Sequence, residues 1–530
     1  ERAGPRQARA GSLRRTVGER PRCLVIGLDG ADPRLLRVWM EHGLVPHLTR
    51  LARRGGFGTL RSTLPPVTAP AWISLFTGRS PGFHGITGFC APARGSGRYT
   101  RDLVDSRTCE APALWEIAGG HGVRSLVVNV PATWPPRPVP GVLVSGMLTP
   151  PGESFTWPAE YEPELRLLQP DYRIDLAWQD YRFRGHDLVR DQRAVTRARV
   201  ELCLKLMEMR PWELAFFVFT GTDRLQHCLF RHVQRVHRDD AVRADALTGA
   251  VREYVTSLDE WVGDLIEAAG PDANVVLVSD HGFGPLDKIV FFNRWLADEG
   301  LLALSPGGAA QRRLWKRALN AVGVRRSTLA GAARAIGLGR TAAARTERLN
   351  PLVGGVDWAR TRVRFVESGG FFVNLAGREV LGSVQPGAEY EAVRDDLIRR
   401  LLALRDPETG AAIVPFAARR EDVASGPALE ELPDVMIDLG DAPYEAVREE
   451  YDVDAFLRRD EWADGSHRRD GTWIAAGPGI QGPGSGRGDG PALDVTDVAP
   501  LVLRLLGCPA PPLDGRVPEA LLTATEPEAS

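Results

Sequence analysis

"CLVIGLDG" (23–30) is an apolar run that ends in an aspartate and a glycine. An unbroken apolar run of this length reads as a strand buried on both faces, and its polar end marks where the chain leaves the sheet. Three further stretches repeat the pattern: "VRSLVVNVP" (123–131), "ELAFFVFTGTD" (213–223) and "NVVLVSDHG" (274–282). Helical periodicity fills the intervals over 33–54, 189–209 and 245–268. Strands alternating with helices predict an α/β fold, a mostly parallel central sheet with helices on both faces. Ligands bind such sheets at the carboxyl ends of the strands. Three of these four strands end in Asp.

Toward the C-terminus, "GTWIAAGPGI" (471–480) brings the sheet pattern back, and "DVTDVAPLVLRLLG" (494–507) reads as a closing helix. Between the two halves lies a different texture. Residues 356–445 read as a smaller α+β segment, with "RVRFVESGGFFVNLAG", a helix at 388–405 and "LPDVMIDLG". The sequence therefore predicts a catalytic core over 22–305 and 446–530, interrupted by an inserted α+β cap over 306–445. Within the cap, 306–350 is a basic helical segment; from 311 to 350 it carries ten Arg/Lys and one acidic residue. That segment is a solvated hairpin, a lid over an anionic substrate, or a surface for an acidic partner or membrane headgroups. In "GGFFVNLAGRE", Phe371, Phe372 and Asn374 either line a pocket or form sheet core.

Composition narrows the function classes. The chain has 530 residues, 43% hydrophobic and 25% charged, with a net charge of −2. That length suits one large domain with insertions, or two to three domains. Near-neutrality argues against nucleic-acid binding through overall charge. The six cysteines form no CxxC pair and are widely spaced, so neither a disulfide framework nor a thiolate zinc site is expected. A reducing compartment, the cytoplasm, is the simpler expectation. The first 22 residues hold seven arginines and no apolar core. They lack the hydrophobic segment of a secretory signal, and 1–21 reads as a disordered basic leader. No run of 18 apolar residues exists, so no membrane span is expected.

The polar residues at the strand ends carry the chemistry. Asp29 ends the first strand. Asp223 ends another, and His227 follows four residues on, one helical turn away on the same face. Asp280 and His281 end the next strand side by side, and His467 lies in "DGSHRRDGT", a Gly-flanked loop entering a strand. Singly, each has a plain reading as a cap, a turn residue or a solvent-exposed side chain. Together, three aspartates and three histidines make the ligand set of zinc, manganese or iron, not of calcium. Six protein ligands suit two ions, and a pair of ions about 4 Å apart clamps in-line displacement at phosphorus.

The ordered motifs "VIGLDGAD", "PPVTAPAWISLFTGRSPGFHGI", "FTGTDRLQH", "LVSDHGFG" and "GSHRRDGTWIAAGPGI" resemble those of the alkaline phosphatase superfamily. The similarity is to its type I phosphodiesterase/nucleotide pyrophosphatase branch and related phosphohydrolases and phosphomutases. It covers about 22–300 and 356–518. The resemblance implies a nucleophile, Thr or Ser, about 16 residues before the His of the "HGI" turn; counting back from His84 reaches Thr68. It implies that Asp223, His227 and His467 hold one divalent ion, and that Asp29, Asp280 and His281 hold the other with the Thr68 hydroxyl beside it. Zinc is the expected metal, with manganese or iron as alternatives.

The physics of "TAPAW" agrees with that role. It places Thr68 at a helix N-cap with Pro70 in the first turn, so the free N–H groups face a bound phosphate. The other reading of Thr68 is a plain helix cap. Phosphodiesterases of this branch carry an Asn five residues after that histidine to donate to the phosphoryl oxygen; here Phe89 stands there. Arg224 or Arg79 would have to substitute, and Arg224 has a structural reading as well. His84 is expected to order the turn after the nucleophile helix.

The expected function is a metal-dependent phosphoester hydrolase acting on a small anionic substrate through a phospho-threonine. The alternatives are a phosphomutase or phosphomonoesterase of the same superfamily, and a non-catalytic binding protein that kept the fold. Sulfatases are disfavoured because their Cys/Ser-x-Pro-x-Arg motif is absent. Membrane phosphoethanolamine transferases are disfavoured because their membrane helices are.

Overall fold

The apolar run at 22–28 is the middle strand of a nine-stranded sheet, Arg22–Leu28 (β1). The others in chain order are Gly56–Arg61 (β2), Ser125–Val130 (β3), Gly141–Ser145 (β4), Thr156–Trp157 (β5), Leu214–Phe219 (β6), Ala273–Val278 (β7), Asp470–Ala476 (β8) and Leu493–Asp494 (β9). They lie in the order β9-β2-β8-β7-β1-β6-β3-β4-β5. The computed structural model describes residues 20–92, 101–305, 355–366, 369–446, 450–460, 463–482 and 490–523. The basic segment 306–350, and all but the last two residues of the leader 1–21, lie outside the described residues.

The four apolar runs of the sequence are the adjacent parallel strands β7, β1, β6 and β3. Successive side chains along a strand point to opposite faces. Leu24, Ile26 and Leu28 therefore join one buried cluster with Ala215, Phe217 and Phe219, while Cys23 and Val25 join a second with Leu214, Phe216 and Val218. Helices Gly185–Met209 and Ala246–Ala269 cover the first face, and helices Thr68–Thr77 and Val498–Leu505 cover the second. The helix expected over 33–54 is two helices, Pro33–Glu41 and Pro46–Arg54. Gly43, at a φ of 70°, turns the chain between them, and Pro46 opens the second, where its missing N–H has no intrahelical partner to lose.

One strand breaks the parallel pattern in a way that matters. β8 runs antiparallel to both β2 and β7. Its amino end therefore lies at the edge where β1, β6 and β7 present their carboxyl ends. A residue just before β8 meets residues just after the others.

A smaller lobe carries a four-stranded sheet, Val363–Val366, Gly370–Val373, Val435–Asp438 and Phe416–Arg419 in that spatial order, with helix Ala388–Ala403 against it. Its apolar cluster runs from Val290 to Tyr451, wider than 306–445, because helix Phe292–Asp298 packs into it through Phe292, Trp295 and Leu296. The lobe touches the core just past helix Thr68–Thr77: Ala428 N–H donates to the Gly82 carbonyl at 2.9 Å. A Cβ on Gly369 would stand 2.6 Å from the Pro65 ring. The six cysteines are unpaired. Among the described residues no helix is long and apolar enough to cross a membrane.

Candidate active site

Asp29 follows β1, and Asp280 and His281 follow β7, all three without solvent exposure. Asp223 and His227 lie on helix Gly221–Val233, which follows β6. His467 sits in the short strand Gly465–Arg468, which pairs antiparallel with Gly282–Pro285 and sets His467 opposite Phe283. That pairing, together with the reversed direction of β8, brings His467 to residues some 240 positions away in the chain: its Nε2 lies 3.1 Å from Asp223 Oδ1 and 3.1 Å from His227 Nε2. His227 Nε2 is 3.4 Å from the same Asp223 oxygen. Beside this trio, His281 Nε2 lies 3.3 Å from Asp280 Oδ2 and 3.5 Å from Asp29 Oδ1. The His281 and His467 rings stack at 3.7 Å and join the two trios into one site.

The backbone settles the tautomers. Nδ1 of His467 donates to the Pro66 carbonyl at 2.9 Å, that of His281 to Gly282 at 3.1 Å, and that of His227 to Gly465 at 3.3 Å. Each Nε2 faces inward, the arrangement of a metal-ligating histidine; without an ion, burial opposes the charge of His467 but the Asp223 carboxylate, 3.1 Å from its Nε2, outweighs it and raises the imidazole. Asp29 Oδ1 and Asp280 Oδ2 are buried and have no hydrogen-bond partner. An orphaned buried acceptor costs about 1–3 kcal/mol, and more when charged. The ligand atoms stand 3.1–3.5 Å apart, which is also the spacing of ligands around a zinc ion, about 3.3 Å for bonds of about 2.0–2.1 Å. Both trios therefore fit a divalent cation.

Electrostatics point the same way. Burial, and then the neighbouring Asp223, push Asp29 up to about 8. Burial with Asp29 and Asp223 alongside raises Asp280 well above the usual carboxylate range. Burial presses His281 far below its ordinary value. Burial also works against the charge of Asp223, but the His227 imidazole and the Arg224 guanidinium outweigh it and hold this carboxyl low. Asp29 and Asp280 share a buried space in which no cation hydrogen-bonds to either among the described residues, which is the condition a bound ion relieves.

Thr68 is 2% exposed, and its Oγ1 lies 3.3 Å from His281 Nε2. It is not the N-cap expected from sequence: Val67 takes that position, Thr68 is the first helical residue, and no side chain caps this helix. The first backbone bond of the helix runs from Ala71 N–H to the Val67 carbonyl at 3.1 Å, so the N–H groups of Thr68 and Ala69 have no intrahelical acceptor. One turn along the same face, Trp72 Nε1 donates to Asp29 Oδ2 at 3.3 Å. The chain passes close here; a Cβ on Gly27 would strike the Trp72 ring at 2.4 Å.

The four residues expected to contact substrate are placed elsewhere or otherwise engaged. Arg224 donates from Nη1 to Asp223 Oδ2, and from Nε and Nη2 to Asp175 at 3.2 and 2.5 Å. Its guanidinium is held between two carboxylates. Arg79 pairs with Asp514 at 3.0 Å and lies over the Phe83 ring, just past the C-terminal end of helix Thr68–Thr77. Ten residues of helix, about 15 Å, separate it from Thr68. Arg79→Ala is therefore expected to leave KM and kcat within about twofold and to cost at most about 1 kcal/mol of stability, read by steady-state kinetics and thermal unfolding. Asn374 is buried in the smaller lobe, where its Nδ2 donates to the carbonyls of Trp358, Thr361 and Leu381. It ties loops together. Phe89 is half-buried, its carbonyl accepts from Val104 N–H, and none of the described contacts joins its ring to Thr68. His84 accepts from Ile86 N–H on Nδ1 and meets Ser74 Oγ at 3.0 Å through Nε2, while burial pushes its imidazole down to about 3. It orders the turn, as expected.

Several neighbours of the site gave no signal in the sequence. Trp178 stacks on His227 at 4.6 Å, and Phe283 packs edge-on to His227 and His467. Asp175 lies in an irregular segment without periodicity. Trp72 alone was within reach, since it follows Thr68 by one helical turn.

A mostly parallel sheet with Asp/His trios at its carboxyl edge and a threonine at a helix N-terminus beside them defines a metal-dependent phosphoester hydrolase of the alkaline phosphatase superfamily. The chain belongs to the type I phosphodiesterase / nucleotide pyrophosphatase family, whose profile matches residues 23–470. Phosphonoacetate hydrolase from Sinorhizobium meliloti 1021 shares the fold at 14% identity and a TM-score of 0.56, over 92% of this chain and 96% of that one. Human ectonucleotide pyrophosphatase / phosphodiesterase 5 shares it at 13% identity and a TM-score of 0.50, over 95% and 100%. No curated protein matches the chain in sequence.

Proposed function

We propose that the protein hydrolyses a small anionic phosphoester, in the manner of a phosphodiesterase or nucleotide pyrophosphatase, through a phospho-threonine at Thr68. Two divalent ions, held by Asp223, His227 and His467 and by Asp29, Asp280 and His281, would supply the positive charge that stabilises an ionised hydroxyl and a departing oxygen. Zinc is the first choice, with manganese or iron as alternatives. The observation that carries this reading is the convergence of three inward-facing Nε2 atoms and two orphaned carboxylate oxygens on one space, with Thr68 Oγ1 3.3 Å from His281 Nε2. Three aspartates and two divalent ions leave one net positive charge for the substrate anion.

Thr68 Oγ1 forms the new P–O bond as the bond to the leaving alcohol breaks, and the threonine proton ends on that alcohol. The unpaired N–H groups of Thr68 and Ala69 receive the phosphoryl oxygens. Water then cleaves the phospho-threonine, releasing phosphate or a phosphomonoester and restoring the hydroxyl. Asp29 is held in register by Trp72 and by its own N–H, which donates to the Phe219 carbonyl at 3.1 Å.

The test is metal content and turnover together. Chelator-stripped protein reloaded with Zn2+ or Mn2+ is expected to bind two ions and to regain hydrolysis of bis-aryl phosphates faster than of aryl monophosphates. Failure to take up either metal would overturn the reading. A monoester preference would move it to phosphomonoesterase. Return of phosphate to an organic product instead of to water would move it to phosphomutase.

A further inference from the structure

The two trios differ in donors, two carboxylates and one imidazole at Asp29–Asp280–His281 against one carboxylate and two imidazoles at Asp223–His227–His467, and they differ further in surroundings. The carboxylates of the inner trio, Asp29 and Asp280, accept only from neutral groups among the described residues: Trp72 Nε1 at 3.3 Å and Gly30 N–H at 3.3 Å. In the outer trio, Asp223 carries a guanidinium. Arg224 Nη1 donates to its Oδ2, and Asp175 grips the opposite side of that guanidinium with both oxygens. Arg224 is 5% exposed, so this carboxylate–guanidinium–carboxylate chain is sheltered from solvent screening.

Asp175 is firmly held. Its Oδ1 accepts from Thr220 Oγ1 at 3.2 Å and from Leu176 N–H at 2.9 Å. Fully buried Arg199 donates to the carbonyls just before it, Ile174 at 2.6 Å and Arg173 at 3.3 Å. The same segment carries Trp178, whose ring lies parallel to that of His227 within 2°. Residues 173–178 thus brace the outer trio at two ligands, Asp223 through Arg224 and His227 through Trp178.

A cation bound to a ligand carboxylate has two effects. It withdraws charge from the ligand, and it repels the incoming ion. A second carboxylate on its far side cancels both. We propose that Asp175 is a positioning residue that neutralises Arg224 and so sets the affinity of the outer ion position, Asp223–His227–His467, more than that of the inner one. This rests on the two-ion reading of the site. Partners one step behind a ligand typically change metal affinity by about 10–100-fold when removed. Asp175→Asn keeps the shape and leaves the Arg224 charge uncompensated, most strongly at the outer position, to whose Asp223 that guanidinium is hydrogen-bonded.

The test titrates chelator-stripped full-length protein with Co2+, followed by visible absorbance, and with Zn2+, followed by calorimetry with the bound ions counted. Wild type is expected to show two binding events. Asp175→Asn should keep the first and weaken the second by about 10–100-fold. Adding Arg224→Met to Asp175→Asn should restore the second event to wild-type affinity or tighter, because the charge that Asp175 cancels is then gone. A residue that merely supports the fold would not be rescued by removing its partner. Two events unchanged in Asp175→Asn, both weakened alike, or no rescue in the double variant would each overturn the proposal while leaving the two-ion reading intact. A wild-type protein that binds no ion would overturn both.

Discussion

Thr68→Ala is expected to lower turnover by about 10^4-fold or more, as loss of a covalent nucleophile does in other hydrolases, while the protein keeps its fold and its ions. The separation follows from geometry. The Thr68 hydroxyl caps nothing, since Val67 is the N-cap and no side chain bonds the free N–H groups. Alanine is the best helix former and fits the first helical position. Stability should therefore change by less than about 1 kcal/mol, the usual worth of a lost cap. The hydroxyl is one neighbour of His281 among several, and the six Asp and His side chains are positioned by other strands and helices. Acid quenching during turnover of a 32P-labelled substrate should trap label at residue 68 in wild type and none in the variant. Thr68→Ser, which keeps an Oγ, should retain the adduct. Wild-type turnover by Thr68→Ala would remove the nucleophile assignment.

Ion removal should make stability fall with rising pH. In the ion-free protein, burial and then Asp223 push Asp29 up to about 8, and Asp280 is raised as well. A folded-state pKa above the unfolded one means that the native protein keeps a proton the unfolded chain has released. Its contribution is complete below about 4, the unfolded value, and is lost as pH climbs through the folded value. Below about 6.5 the buried imidazoles of His84 and His281, both pressed down, act in the opposite sense. The decline should therefore emerge between about 6.5 and about 8, amounting to about 2 kcal/mol for Asp29 alone at about 1.4 kcal/mol per pH unit. With ions bound the carboxylates are already charged and paired, and the decline should vanish. Differential scanning calorimetry at pH 6.5, 7 and 8, with and without chelator, measures it. A stripped protein whose stability holds or rises over that interval would show that these carboxyls are not kept protonated.

Much of this site is legible in the linear chain. Asp280-His281 are adjacent, Asp223 and His227 are one helical turn apart, and each follows a strand whose apolar run announces where it ends. What the structure adds beyond the sequence has a common source. Arg79 and Phe89 lie near the nucleophile motif in sequence, but a straight helix carries Arg79 to its far end. Asn374 stood out as a polar residue beside two phenylalanines, yet such a residue serves equally well to satisfy carbonyls between strands, and here it does. Thr68 was one residue off its cap because N-cap and first-turn preferences overlap. Asp175 was invisible, since a carboxylate in an aperiodic segment carries no pattern that names its partner.

The sequence by itself determined the strands, the helices and the inventory of candidate ligands, because local burial imprints its period on the residues that make each element. Only the tertiary structure decided which of them share a space. The reversed direction of β8 brings His467 to Asp223, 244 residues apart. Backbone carbonyls at Pro66, Gly282 and Gly465 turn three imidazoles inward, and the Asp175 and Asp223 carboxylates hold Arg224 between them. Contacts of that range are set by how strands cross and pack, and chain periodicity records burial without recording against what.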